Sequence, residues 1–100
     1  MSTLYSLTSE QLSILKYLSI LGLQFSIPQV SFFFNKKQII DQLSKLHILI
    51  FRGLIKPVGD EFCFNHILIR EIVNEEIKDK ERLDLQSIYN EWQQSQVIRK

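Results

Sequence analysis

Apolar residues recur along this chain with two different periods, and the change of period divides it. Leu12, Leu15, Leu18 and Leu21 return at steps of three, on or near one side of a helix. Thr8 followed by Gln11 has the form of a capping box opening that helix, and Gly22 is placed to end it. The link GLQFSI leads to Pro28, which suits the first turn of a second helix carrying Val30 and the trio Phe32, Phe33 and Phe34. That helix is expected to be mostly buried. A third is expected after Asn35, because Ile39, Leu43, Leu46 and Ile50 follow at steps of four, three and four, the period of one buried face. Gly53 is its expected stop.

The pattern then shortens. LIKP, the turn VGDE and FCFN make a β-hairpin between Leu54 and Phe64, with Gly59 and Asp60 at its tip. Phe62 and Phe64 alternate as strand residues do, while Ile69, Ile72 and Val73 return to helical spacing. A fourth helix is predicted from about His66 to Ile77, and a fifth from about Lys80 to Ser95 with Leu85, Ile88, Tyr89 and Trp92 on one face. Helix, helix, helix, hairpin is the order of a winged helix. The expected fold is therefore mainly α: a winged helix-turn-helix of three helices and a two-stranded β-wing, with two further C-terminal helices. The expected division is an N-terminal extension over residues 1–8, a winged-helix domain over 9–77, and a C-terminal helix over 78–100 that reads as the opening of a helical-repeat region.

Composition narrows the function classes. Twelve basic against 11 acidic residues leave a formal charge of +1, so any nucleic-acid contact must be local. The single cysteine, Cys63, cannot form an internal disulfide and fits a reducing compartment. MSTLYSLTSEQ has neither the basic start nor the apolar core of a signal peptide, and the longest apolar runs fall far short of the ~20 residues of a membrane span. The expected location is cytoplasmic. With three glycines and two histidines there is no phosphate loop, GxSxG elbow or HExxH, and an enzyme is not expected. Cys63 and His66 form a CxxH half-site, but only His47 and scattered carboxylates remain to complete four ligands, so no metal is expected.

Two readings remain for the polar residues. A winged helix that binds DNA would use Lys36, Lys37, Gln38, Gln42 and Lys45 on the third helix. Against this, Asp41 sits among them and Asp60 and Glu61 occupy the hairpin tip, a mixture that also describes a solvated helix face. His66 falls at a helix N-terminus, where free N–H groups attract an anion, and Arg70 lies one turn further, so the two could together address a phosphate. Alternatively Asn65 or His66 caps the helix and Arg70 pairs with an acid such as Glu71. Apolar positions on the first helix, including Ile14, Tyr17 and Ile20, outnumber what one small core is expected to cover, and fit a surface docking on another domain.

GLIKPVGDEFCFNHILIRE resembles the end of the winged-helix domain of STAND-class signal-transduction ATPases, where "F-x-F-x-H-x-L-I-R-E" follows a short wing. LSILGLQFSI is similar to the family's "LSVLGREFSL" segment, KKQIIDQLSKLHILIFRGLI to its "EELLEALDELVEAGLL" helix, and KDKERLDLQSIYNEW to the "PERRRALHRRIAEALE" helix that leads into tetratricopeptide-like repeats. The likeness runs from about Thr8 to Ser95. It implies a non-catalytic regulatory module that follows an AAA-type ATPase core, as in large transcription activators and ATPase-linked nucleotide cyclases. By the same resemblance His66 matches the His that contacts the nucleotide phosphate, and Arg70 and Glu71 would hold the module on the ATPase core. ATP or ADP would be bound only together with that core, in cis or in trans, since the phosphate loop is missing here. A fragment, a stand-alone partner and a degenerate remnant are all compatible with this pattern. Asn65 and Ile67 beside His66, then Asn74 and Gln86, depart from the family's residues.

Overall fold

The computed structural model describes residues 7–98, with side chains to residue 96. Residues 1–6 of the expected N-terminal extension lie outside the described residues, as do 99 and 100. Helix α1 spans Ser9–Leu21, strand β1 Gln24–Ser26, α2 Ile27–Lys36, α3 Gln42–Phe51, β2 Ile55–Val58, β3 Glu61–Phe64, α4 Ile67–Glu75 and α5 Asp79–Ile98. The described residues thus form a mainly helical protein with a small antiparallel sheet.

The capping box that opens α1 is present: the Thr8 hydroxyl accepts from the Gln11 amide at 3.1 Å, and Gln11 Oε1 accepts from the Thr8 amide at 3.0 Å. Gly22, at φ 134°, ends the helix. Ile14, Leu15, Tyr17, Leu18 and Ser19 are all buried, and at 3.6 residues per turn these five positions cover more than half of the helix circumference. It is the central element, packed against α2, α4, α5 and β1. Ile14 and Tyr17 are therefore core residues of this chain, and Ile20 is half-buried against the same core. Most of the apolar surplus on α1 is thus absorbed within the described residues.

The hairpin lies where the alternation placed it, turning at Gly59 with φ 61°. The two-stranded expectation is incomplete, because β1 adds a third strand and gives the order β1-β3-β2. Phe25 opposes Phe62 across that pairing, and its ring meets Phe64 edge to face at 5.6 Å. Three residues are too short a run to show alternation in a sequence.

The larger correction concerns the second and third helices. Instead of a helix starting after Asn35, α2 continues to Lys36, and α3 begins only at Gln42. Gln38 takes the left-handed conformation at φ 58°, with Ile39 N donating to Phe34 O at 2.8 Å and Gln38 N to Asn35 O at 3.2 Å. That is the Schellman closure usually built on glycine. A glutamine in its place hides the helix end from a sequence reading. Asp41, also left-handed at φ 57°, then opens α3. Of the expected face, Leu46 is buried and Ile39 and Ile50 pack against the core, joined by the buried Leu49, whereas Leu43 is exposed, as is Ile40. At the other end the Schellman pattern recurs with Gly53, where Leu54 N donates to Leu49 O at 3.0 Å and Gly53 N to Ile50 O at 2.9 Å.

Helix α5 is covered as its apolar stripe requires, with Leu85 and Ile88 buried and Tyr89 packed on the core. Ion pairs tie it to α1 through Lys16–Glu81 at 3.0 Å, and to the end of α2 through Lys36–Glu91 and Lys37–Asp84, each at 2.6 Å.

Candidate functional site

The junction of β3 and α4 presents the residues expected to sense a phosphate. Asn65 side-chain nitrogen donates to Gly53 O at 2.7 Å and its amide to Leu54 O at 3.0 Å, which fixes the chain's entry into α4. His66 is the N-cap, with Nδ1 accepting from the Leu68 amide at 3.2 Å. An accepting Nδ1 carries no proton, so the neutral ring holds its proton on Nε2. His66 is exposed. Capping therefore occupies one ring nitrogen and leaves the other as a donor toward solvent. Ile67 and Leu68, the first two residues of α4, are also exposed.

Arg70 is engaged elsewhere. Its Nε donates to the Ser19 carbonyl at 3.1 Å, drawing the side chain toward the C-terminal end of α1, and no ion pair with Glu71 forms. Ser19, fully buried, is a hub that the sequence pattern does not reveal. Its hydroxyl donates to Lys16 O at 2.7 Å and accepts from Asn74 Nδ2 at 3.2 Å. Asn74 O and Oδ1 in turn accept from Arg82 Nη2 at 3.0 and 3.3 Å. One serine thus couples α1, α4 and α5. A polar residue within a leucine-rich helix is the one sequence signal that could have pointed to it. Arg70, Glu71, Asn74 and Glu75 line an open cleft of about 420 Å³. The cleft brings two carboxylate residues and one arginine together.

The five residues of the DNA-binding alternative do not share a helix. Lys36 ends α2, Lys37 and Gln38 belong to the turn, and Gln42 and Lys45 lie on α3. All three lysines are paired within the chain, Lys45 with Glu10 at 2.5 Å. The outward face of α3 is made instead by Leu43, Ser44, His47, Ile48 and Phe51, all exposed. Ile40, two residues before α3 begins, is exposed as well.

The Tyr17 hydroxyl is buried with no hydrogen-bond partner among the described residues, and its ring stacks on Phe33 at 4.4 Å. Burial, with a smaller contribution from the nearby Tyr89, pushes its ionisation well above the usual phenol range. Cys63 is half-buried on β3, and among the described residues no group of three His, Cys, Asp or Glu is arranged to hold a metal. No helix of the described residues is long and apolar enough to cross a membrane.

Comparisons of the chain with models of protein families, with curated proteins and with solved structures found no match.

Proposed function

We propose that this chain is a non-catalytic, cytoplasmic regulatory and protein-interaction module of winged-helix type, of the kind STAND-class ATPases place after their ATPase core. The observation that carries the interaction reading is the exposed apolar pair Ile67 and Leu68 beside His66 at the first turn of α4. The outward face of α3, with Leu43, Ile48 and Phe51, is largely apolar where a DNA-reading helix needs basic and hydrogen-bonding side chains, which weighs against DNA binding. The intrachain pairing of Lys36, Lys37 and Lys45 also weakens the DNA-binding alternative, since each phosphate contact would have to displace an acid of the same chain.

In this reading the ATPase core, in cis or in trans, docks at the first turn of α4. Ile67 and Leu68 supply apolar contact, Glu71 a rim charge, and His66 Nε2–H the contact to a nucleotide phosphate held mainly by the core. Arg70 acts through position, anchoring α4 to α1 so that the first turn is presented rigidly. Helix α5 hands the nucleotide-dependent arrangement to a downstream helical region.

Two measurements test this. Fluorescence anisotropy with duplex DNA should show no binding that weakens steeply between about 50 and 200 mM salt, the signature of phosphate neutralisation. The native species carrying this sequence, identified by immunoblot and intact mass, should either contain a P-loop ATPase segment or co-purify with a P-loop ATPase chain. Salt-steep DNA binding by a species without any ATPase would replace the proposal with the DNA-binding alternative.

A further inference from the structure

We infer that the outward face of α3 is where two copies of this chain pair, antiparallel, about a two-fold axis passing His47. The inference rests on reading that face as a protein-docking surface, not on the ATPase assignment. Leu43, His47 and Phe51 follow at steps of four and form one line along the helix. In an isologous contact each residue meets its symmetry counterpart. Leu43 then packs against Phe51 of the second copy, Phe51 against its Leu43, and His47 against its own equivalent.

Area, charge and direction favour a second copy. Ile40 is 76% exposed, Leu43 66%, Phe51 92% and Ile48 39%. With about 200 Å² for a side chain of this size, they offer roughly 500 Å² of apolar surface, at the upper range for a monomer's largest patch. Two such faces bury about 1,000 Å² together, the lower limit for a specific interface. The line between Leu43 and Phe51 carries no carboxylate, ammonium or guanidinium that a two-fold axis would set against its like. Asp41 precedes α3 and Arg52 follows it, so antiparallel pairing keeps the two Asp41 at opposite ends of the contact, and likewise the two Arg52, whereas parallel pairing would set like against like. The helix dipoles run in the favourable sense for the same reason. Lys45, the remaining charged residue of the helix, is turned away to Glu10.

An interface of this size holds a weak dimer, half-formed at roughly 100 µM. Sedimentation equilibrium from about 10 µM to 1 mM should detect it. Phe51→Glu and Leu43→Glu, at exposed positions and with folding checked by circular dichroism, should each raise the dissociation constant at least tenfold. On a Cys63→Ser background, His47→Cys should form an intermolecular disulfide much faster than Asp60→Cys at the hairpin tip. A monomer across the whole range, a dimer indifferent to both glutamates, or equal cross-linking from the two cysteines would overturn the pairing. If the chain stays monomeric while the glutamates disrupt the native assembly, a partner other than a second copy occupies this face, apart from the ATPase contact at α4, and the pairing alone is excluded. If the glutamates change neither, the docking reading falls with it.

Discussion

Removing one oxygen atom from the core should make this protein more stable. Tyr17 is fully buried, its ring stacks on Phe33 at 4.4 Å with the planes 14° apart, and its hydroxyl meets no hydrogen-bond partner among the described residues. A buried hydroxyl without a partner costs about 1–3 kcal/mol of desolvation. Tyr17→Phe keeps the ring, its stacking and its burial. It leaves a void of about one oxygen, roughly 15 Å³, which at about 24 cal/mol per Å³ costs about 0.4 kcal/mol. The balance is a gain of about 1 kcal/mol, read in urea as a higher midpoint at constant slope and in heating as a rise of about 4–8 °C. The variant should also change the alkaline limit. Because folding raises the Tyr17 ionisation above the unfolded value of 10.0, its contribution is present below pH 10 and is lost as the pH rises further. The substitution should therefore soften unfolding above that pH. A loss of 0.5 kcal/mol or more at pH 7 would refute the reasoning, since it would mean that the hydroxyl is hydrogen-bonded.

Other substitutions test the remaining contacts. Gln38→Gly should stabilise by about 0.5–1 kcal/mol, because glycine adopts φ 58° without strain; in a continuous helix after Asn35 it would instead cost about 1 kcal/mol. Ser19→Ala strands the Asn74 amide and should cost about 1–2 kcal/mol in urea unfolding. Glu81 has its carboxyl held below the usual range by the Lys78 amide and the Lys16 ammonium. A depressed carboxylate stabilises above its unfolded value of 4.5 and loses that contribution as pH falls through its folded value, so the stability difference between wild type and Glu81→Gln should shrink in acid. Partly exposed and screened, that difference should be only about 0.5–1 kcal/mol at pH 7. His66→Ala removes a cap and should cost about 0.5–1 kcal/mol while leaving the chain folded by circular dichroism, so that regulatory loss in the full assembly is separable from stability.

What the sequence made legible depended on whether local chemistry advertised it. The Thr8–Gln11 box, Gly22, Pro28 and Gly53 mark boundaries that the structure places as expected, because each is the residue type its backbone position favours. The end of α2 was not legible because Gln38 does what glycine ordinarily does there. That single position displaced the start of α3, and with it the place of Leu43 in the expected buried face and the grouping of Lys36 to Lys45 on one helix. Strand β1 was hidden by its length, and its stability comes from β3, far along the chain. For the candidate site, His66 at the head of α4 could be read from spacing, as could its capping role. The destination of Arg70 could not, because the Ser19 carbonyl that holds it is distant in sequence and offers no side-chain signal. Nor could the apolar face of α3, whose Leu43 fits a core stripe in sequence and lies outside it in the fold.

Photo-crosslinking in the native host probes whether an ATPase core docks at the head of α4. A photoreactive phenylalanine analogue replaces Leu68, with the same analogue at Asp60 as the control. Position 68 alone should join this module to a P-loop ATPase segment, within one polypeptide or between two, with a yield that depends on whether ATP or ADP is supplied. Equal capture from both positions, or no ATPase joined to position 68 in either nucleotide, would contradict such docking.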